Sequence, residues 1–274
     1  MMLCCPTELS PSHADRLIDL HMAAFPGFFL TSLGPRFLRL LYQGFATMPS
    51  GVCILAEEDG RLIGVAAGTT QPDLFFKQLL RTNGPRFALA TIPGLLRNPL
   101  FVARKCLGAL FYRGESLPDL PNAALLSSLA VAPEHSSKGI GRALVQAFAV
   151  EARSHGCSSI YLTTDAVGND QVNRFYEKCG FTLRDTIKRP GNRVLNRWVL
   201  EIGGIADRRL STADCTLRLV LRRARLKTEA GGMRQGLQRD TQYIHVGQYL
   251  VAFDDRPDLS AVEEAKSNGP GERC

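Results

Sequence analysis

Residues 126–156 read LSSLAVAPEHSSKGIGRALVQAFAVEARSHG, and the change of period inside this stretch decides the architecture. Residues 124–132 (ALLSSLAVA) form a short apolar run bounded by Pro133, the pattern of a buried strand. A polar loop follows. Gly139-Ile140-Gly141 then opens a helix over about 140–155, with Ala143, Leu144, Ala147, Phe148 and Ala152 on one face. Further on come a strand at 158–164, a helix near 169–179, and weaker strand signals at 181–188 and 194–202. Strand–helix–strand–helix order implies a parallel component in the sheet, hence an α/β (α+β) chain with a mixed sheet.

The loop between strand and helix also carries chemistry. The first turn of a helix leaves backbone N–H groups without intrahelical partners, and the helix dipole adds positive charge there. Glycines let such a backbone adopt positive φ and come close to an anion. The turn is therefore suited to a pyrophosphate, with Lys138 and Arg142 flanking it. A tight strand-to-helix turn with no ligand explains the same glycines. The dinucleotide fingerprint needs a third glycine, and a Walker A loop needs GK[ST]; neither is present.

Toward the N-terminus, Ser10-Pro11-Ser12 reads as a helix start, followed by Leu17, Leu20, His21 and Ala24, with Pro26 as the stop. A second helical pattern begins near Gly34-Pro35. Val52, Ile54 and Ala56 alternate up to Asp59-Gly60, and Leu62, Gly64 and Ala66 follow, which is a β-hairpin signal. Residues 73–113 suit two or three helices broken at Pro85, Pro93 and Pro99, punctuated by Arg86, Arg97, Arg104, Lys105 and Arg113. Helices packed on the domain with solvated basic residues, an acceptor-site lid and a membrane-surface face all fit this block. After Gly203-Gly204, residues 217–227 suit a basic amphipathic helix, 241–253 a strand or two, and the end reads as disordered.

Composition bounds the rest. The chain has 274 residues and a net charge of +7, enough for one large domain or a domain with an appendage. The mild basic excess fits an anionic ligand and is too small to indicate nucleic acid. The eight cysteines form no CxxC pair and show no metal-ligand spacing with the histidines, so no metal is expected and the thiols read as free. There is no apolar stretch long enough to span a membrane and no signal-peptide pattern at the N-terminus, which makes the expected location cytoplasmic.

The second informative segment is NDQVNRFYEKCGF, residues 169–181. Asn169 stands where a helix cap is expected, Val172, Phe175 and Tyr176 lie at helical spacing, and Gly180 stands where a terminating glycine belongs. Alone, Tyr176 reads as a core residue with a satisfied hydroxyl. Together, the glycine loop and this helix resemble the GNAT superfamily of acetyltransferases, whose loop reads [QR]-x-x-G-x-[GA] and whose later helix reads N-x-x-A-x-x-[FL]-Y-x-x-x-G-F. Here Ser136 replaces the usual Gln or Arg and Val172 replaces Ala. The resemblance covers about 124–202 strongly and extends to the N-terminus through two helices and a hairpin.

What the resemblance implies is specific. The fold is a twisted mixed sheet of about six to seven strands flanked by helices. Its domain spans 1–202, with 73–113 as a helical insertion and 203–274 as a poorly defined extension. Acetyl-CoA is the co-substrate. Backbone groups of Leu129, Ala130 and Val131 pair with its pantetheine amides. Ser136, Ser137, Lys138, Gly139, Ile140, Gly141 and Arg142 hold its pyrophosphate, and Asn169 touches the pantetheine arm. Tyr176 is the catalytic acid at the thioester sulfur. The reaction is direct attack by a primary amine of a small molecule, with an amino sugar as the guess, on a monomer or homodimer. A non-catalytic acyl-CoA sensor and a transferase of longer acyl chains remain as alternatives. The general base is not readable from the sequence: Glu134 lies just after one strand, Asp165 just after the next, and Glu57 and Glu58 in the hairpin, and each reads first as a solvated surface carboxylate.

Overall fold

A computed structural model describes residues 1–26, 28–97, 120–189 and 193–203. The expectations for 98–113 and for the tail beyond 203 lie outside these residues. The elements are β1 (Met2–Cys4), α1 (Pro11–Ala24), α2 (Phe29–Ser32), α3 (Pro35–Thr47), β2 (Gly51–Glu58), β3 (Arg61–Thr69), α4 (Pro72–Arg97), β4 (Ala123–Val131), α5 (Ile140–Ser154), β5 (Ser159–Asp165), α6 (Asp170–Lys178), β6 (Thr182–Arg189) and β7 (Arg193–Glu201). Among the described residues the strands form one mixed sheet in the order β1-β2-β3-β4-β5-β7-β6.

Local chemistry sets the boundaries. Ser10 caps α1, its hydroxyl accepting from the His13 N–H at 3.3 Å, with Pro11 at the first helical position. Asp59 and Gly60 both take positive φ, as the two-residue turn joining β2 to β3 requires. β1 is an addition to the sequence expectation. It pairs Leu3 with Ala56 along the edge of β2. The expected break near Pro85 is present, as a kink at Asn83 where the 26-residue α4 joins two helical halves; the expected break at Pro93 is corrected, since the second half runs on through it to Arg97. Pro85 then falls in the first turn after the kink, where its missing N–H costs nothing. Phe75, Phe76, Leu79 and Phe87 of α4 face the core, with Phe75 stacked on Phe45 of α3 at 4.9 Å.

The positioning of β4 matters most for function. All nine of its residues are buried. It lies antiparallel to β3, but the register shifts so that Ser127 and Ser128 both fall opposite Ala67, a β-bulge. On its other side β4 runs parallel to β5, and among the described residues the pairing covers only Ala123↔Ser159, Ala124↔Ile160 and Leu125↔Tyr161. Beyond Leu125 the two strands diverge.

One buried titratable pair lies on the α1–α3 side of this strand. His21 Nδ1 is 2.7 Å from the Tyr42 hydroxyl, with both side chains inaccessible to solvent, and Ser128 lies against the same phenol. Burial lowers the His21 pKa from 6.5 to about 3. The native state therefore binds its proton later than the unfolded chain does. Stability from His21 is complete above about 6.5 and drains away as the pH falls toward 3, with a slope of up to ~1.4 kcal/mol per pH unit. Urea melts of the wild type should show this slope over that window. The His21→Gln variant should flatten it, and an unchanged slope in that variant would move its origin to other groups.

Candidate active site

The site begins where β4 and β5 part. The Ala132 N–H donates to Ile63 O of β3 at 2.8 Å, extending the ladder one residue past β4. Strand groups alternate sides, so Ala130 also spends its N–H and C=O on β3. Leu129 and Val131 turn theirs the other way, into the gap facing β5. Of the three residues expected to offer backbone groups to a ligand, Leu129 and Val131 are placed to do so. Ala130 is not, and the reason is ladder geometry.

Past β4, the chain makes a single turn of 3-10 helix at Pro133–His135 and enters the glycine loop. Ser137 has φ 65° and Gly139 φ 79°. Gly139 caps α5 without a side-chain hydrogen bond, and the first intrahelical bond is Ala143 N–H to Gly139 O at 3.0 Å. The first amides of α5 thus have no side-chain cap, as an anion site requires. Ser137, Lys138 and Gly139 are exposed, whereas Ile140 is buried under the helix.

Two side chains of the loop behave differently from the sequence expectation. Ser136 turns its hydroxyl back onto Pro133 O, so it helps hold the turn. Arg142 reaches across to α6 and donates from Nη2 to Lys178 O at 3.1 Å, stabilising the C-terminal end of that helix. Gly141 is helical. A Cβ there would lie 3.1 Å from Cζ of Phe175 and 3.8 Å from Val131 Cγ2, so its small size serves the packing of α6 against α5.

α6 is anchored to the end of β5 by a buried polar chain. Trp198 Nε1 donates to Thr164 Oγ1 at 2.8 Å, Thr164 Oγ1 donates to Asn173 Oδ1 at 2.6 Å, and Asn173 Nδ2 donates to Asp165 O at 3.3 Å. Sequence reasoning missed Asn173. Its signal was a polar residue beside Val172 and Tyr176 on the apolar face. Asn169 is the N-cap residue, as expected, though its side chain makes no capping bond. That leaves its amide unspent on the helix end.

The C-terminal end of α6 is a Schellman motif. Phe181 N–H bonds to Tyr176 O at 3.0 Å and Gly180 N–H to Glu177 O at 2.9 Å, with Gly180 at φ 94°. The accompanying hydrophobic contact is the ring of Phe181 on that of Tyr176, 5.2 Å between centroids. Phe175 packs on the same phenol at 5.1 Å. Tyr176 is wholly buried, and its hydroxyl has no hydrogen-bond partner among the described residues. Burial holds its pKa well above the usual 10, so the phenol keeps its proton across the neutral range.

The carboxylates near the site are mostly engaged. Arg193 grips Asp165 with two bonds of 2.6 and 3.1 Å. Glu57 lies 2.9 Å from His13 Nε2, and Glu58 lies 3.4 Å from His135 and 3.6 Å from the terminal amine. Glu134 is exposed. A cavity of about 520 Å³ opens beside Arg142, lined by Gln146, Arg153, Cys179, Leu200 and Glu201. Its lining includes neither Tyr176, nor Gly139–Gly141, nor the β4 backbone.

A family model described as acetyltransferase (GNAT) matches residues 14–181. The chain belongs to the GNAT acetyltransferase family. Acetyl transfer from acetyl-CoA is the general reaction class of this GNAT chain. Among solved structures it is similar to the ribosomal-protein-alanine N-acetyltransferase of Brucella melitensis, at 14% identity over 73% of this chain and 99% of that one, TM-score 0.49. It is also similar to the aminoglycoside 6'-N-acetyltransferase of Enterococcus faecium, at 15% identity over 74% and 97%, TM-score 0.46. No curated protein matches it. Among the described residues of this GNAT chain, no group of three or more His, Cys, Asp or Glu is arranged to hold a metal ion, and no helix is long and apolar enough to cross a membrane.

Proposed function

We propose that residues 1–202 are the catalytic domain of an N-acetyltransferase that moves an acetyl group from acetyl-CoA to a primary amine of a small molecule, with amino sugars as the first class to test. The observation that carries this reading is a buried phenol with no partner among the described residues, Tyr176, on the helix that follows the parted strands. An unpaired buried hydroxyl costs about 1–3 kcal/mol, a cost that a ligand atom paired with it would offset.

Acetyl-CoA supplies an activated thioester, and the residues divide the work of holding it. Leu129 and Val131 offer backbone groups to the amides of the pantetheine arm, Asn169 offers its side chain, and the amides of Gly139, Ile140 and Gly141 face the pyrophosphate, with Lys138 as the nearby free cation. Arg142 acts indirectly, by tying α5 to α6. As the new C–N bond forms and the C–S bond breaks, Tyr176, protonated at neutral pH, donates its proton to the leaving sulfur and recovers one from water after the thiol departs. The amine loses its proton to water, since Asp165 is held by Arg193.

The test is free-thiol release from acetyl-CoA by the purified full chain over a panel of amino sugars, polyamines and peptides. Release with amino sugars is the expected result. Release with peptides or polyamines alone would sink the amino-sugar reading. Tight acetyl-CoA binding with no release over the whole panel would favour a sensor, and release only from longer acyl-CoAs would favour a different acyl group.

A further inference from the structure

The long helix α4 carries a feature that the transferase chemistry leaves unused. Its inner side is apolar and packed, through Phe75, Phe76, Leu79, Phe87 and Ala90. Its outer side is apolar too: Leu74, Leu80, Leu89, Ile92, Leu95 and Leu96 are all exposed, Leu89 by 65% and Leu96 by 79%. A run of exposed leucines beside a packed apolar face is ordinarily covered by a second surface. After the kink, Leu89, Ile92 and Leu96 fall at i, i+3 and i+7, one ridge on the solvent side.

Charge identifies the covering surface. Lys77, Arg81 and Arg86 are exposed on the same helix, and with Arg97 and the lone acid Asp73 they give α4 a formal charge of +3, out of +7 for the whole chain. Residues 98–113 continue the composition, adding Arg104, Lys105 and Arg113 and no acidic residue. Two such faces repel each other, which opposes a second copy as the occupant. A convex ridge of separate leucines with basic residues interleaved suits a surface that moulds around it and carries negative charge.

We infer that the exposed ridge of α4, Leu89, Ile92 and Leu96 with Arg81 and Arg86, docks this protein on an anionic phospholipid surface. The apolar tips enter the headgroup boundary, and the arginines meet lipid phosphates. This inference is independent of the transferase reading, because none of these residues belongs to the acetyl-CoA site.

The test is co-sedimentation of the full chain with vesicles of phosphatidylcholine alone and of phosphatidylcholine mixed with phosphatidylglycerol, at low and at high salt. Binding to the mixed vesicles, reversed by salt, is expected. The Arg81→Glu/Arg86→Glu pair should weaken it roughly tenfold or more. The Leu89→Gln/Leu96→Gln pair should weaken it roughly tenfold as well, both side chains leaving the lipid boundary. Both variants alter exposed side chains and should keep the wild-type melting temperature and acetyl-CoA affinity. No binding to the mixed vesicles overturns the inference, as does equal binding to pure phosphatidylcholine. A concentration-dependent dimer abolished by Leu89→Gln/Leu96→Gln, with no vesicle binding, gives the ridge to a second copy and also overturns it.

Discussion

Replacing Tyr176 by Phe should lower the turnover of acetyl-CoA by about a hundredfold or more while raising the melting temperature of the free protein. The two effects have one cause. The ring contacts with Phe175 and Phe181 survive in the variant, so packing is kept. What disappears is a hydroxyl buried without a partner, whose desolvation costs about 1–3 kcal/mol. On the proposed reading, the same hydroxyl is the proton donor for the leaving thiol, and its loss is felt only when the reaction runs. Acetyl-CoA affinity should change little. Thiol-release kinetics and thermal scans measure the two arms separately. Unchanged kcat would remove Tyr176 from the chemistry, and a lowered melting temperature would mean that the hydroxyl has a structural partner.

The largest loss of stability is expected from Gly68→Ala. A Cβ at position 68 would stand 2.0 Å from Leu125 O and 2.9 Å from Cζ of Phe148. The first clash is with backbone, so no side-chain movement relieves it. The position adjoins the register shift between β3 and β4, and the close approach of the two strands is part of that irregularity. A cost above about 4 kcal/mol follows, enough to remove the soluble folded protein. Gly84→Ala is the matched comparison. Nothing lies within 4 Å of its Cβ, so the change should be neutral or stabilising by up to about 1 kcal/mol. Urea denaturation of both variants tests this, and a Gly68→Ala protein with wild-type stability would refute the close approach.

The sequence was readable where a single residue type has a single local use. Ser10-Pro11 opens α1, Asp59-Gly60 turns the hairpin, and Gly180-Phe181 closes α6. Each depends on bonds within a few residues. β1 was not readable, because three residues carry no period and its bonds come from β2, some 50 residues away. The bulge at Ser127 was hidden for the same reason, since it exists only relative to β3. The kink was readable to within two residues, because Pro85 stands in the first turn of the helical half that follows it, whereas Pro93 breaks nothing.

At the site, the loop and Tyr176 stood out through family spacing. Their physical roles needed the third dimension. Whether Ala130 or Leu129 presents its amide to the gap depends on which strand has already claimed it. Whether Arg142 faces an anion or a neighbouring carbonyl depends on where α6 ends. Asn173 escaped notice because a buried amide gains meaning only from Thr164 and Trp198, brought in from β5 and β7.

The three paired positions that join β4 to β5 have a mechanical meaning of their own. They make the sheet two half-sheets riveted at one end, β1 to β4 and β5 with β7 and β6. On the proposed reading, a pantetheine arm laid in the gap would become a non-protein strand, its amides taking up groups that no neighbour among the described residues claims. Occupancy would then stiffen the molecule across that seam. The amide protons of Leu129 and Val131 should exchange with solvent deuterium readily in the free protein and slowly in the loaded one. The three rivets should be protected in both.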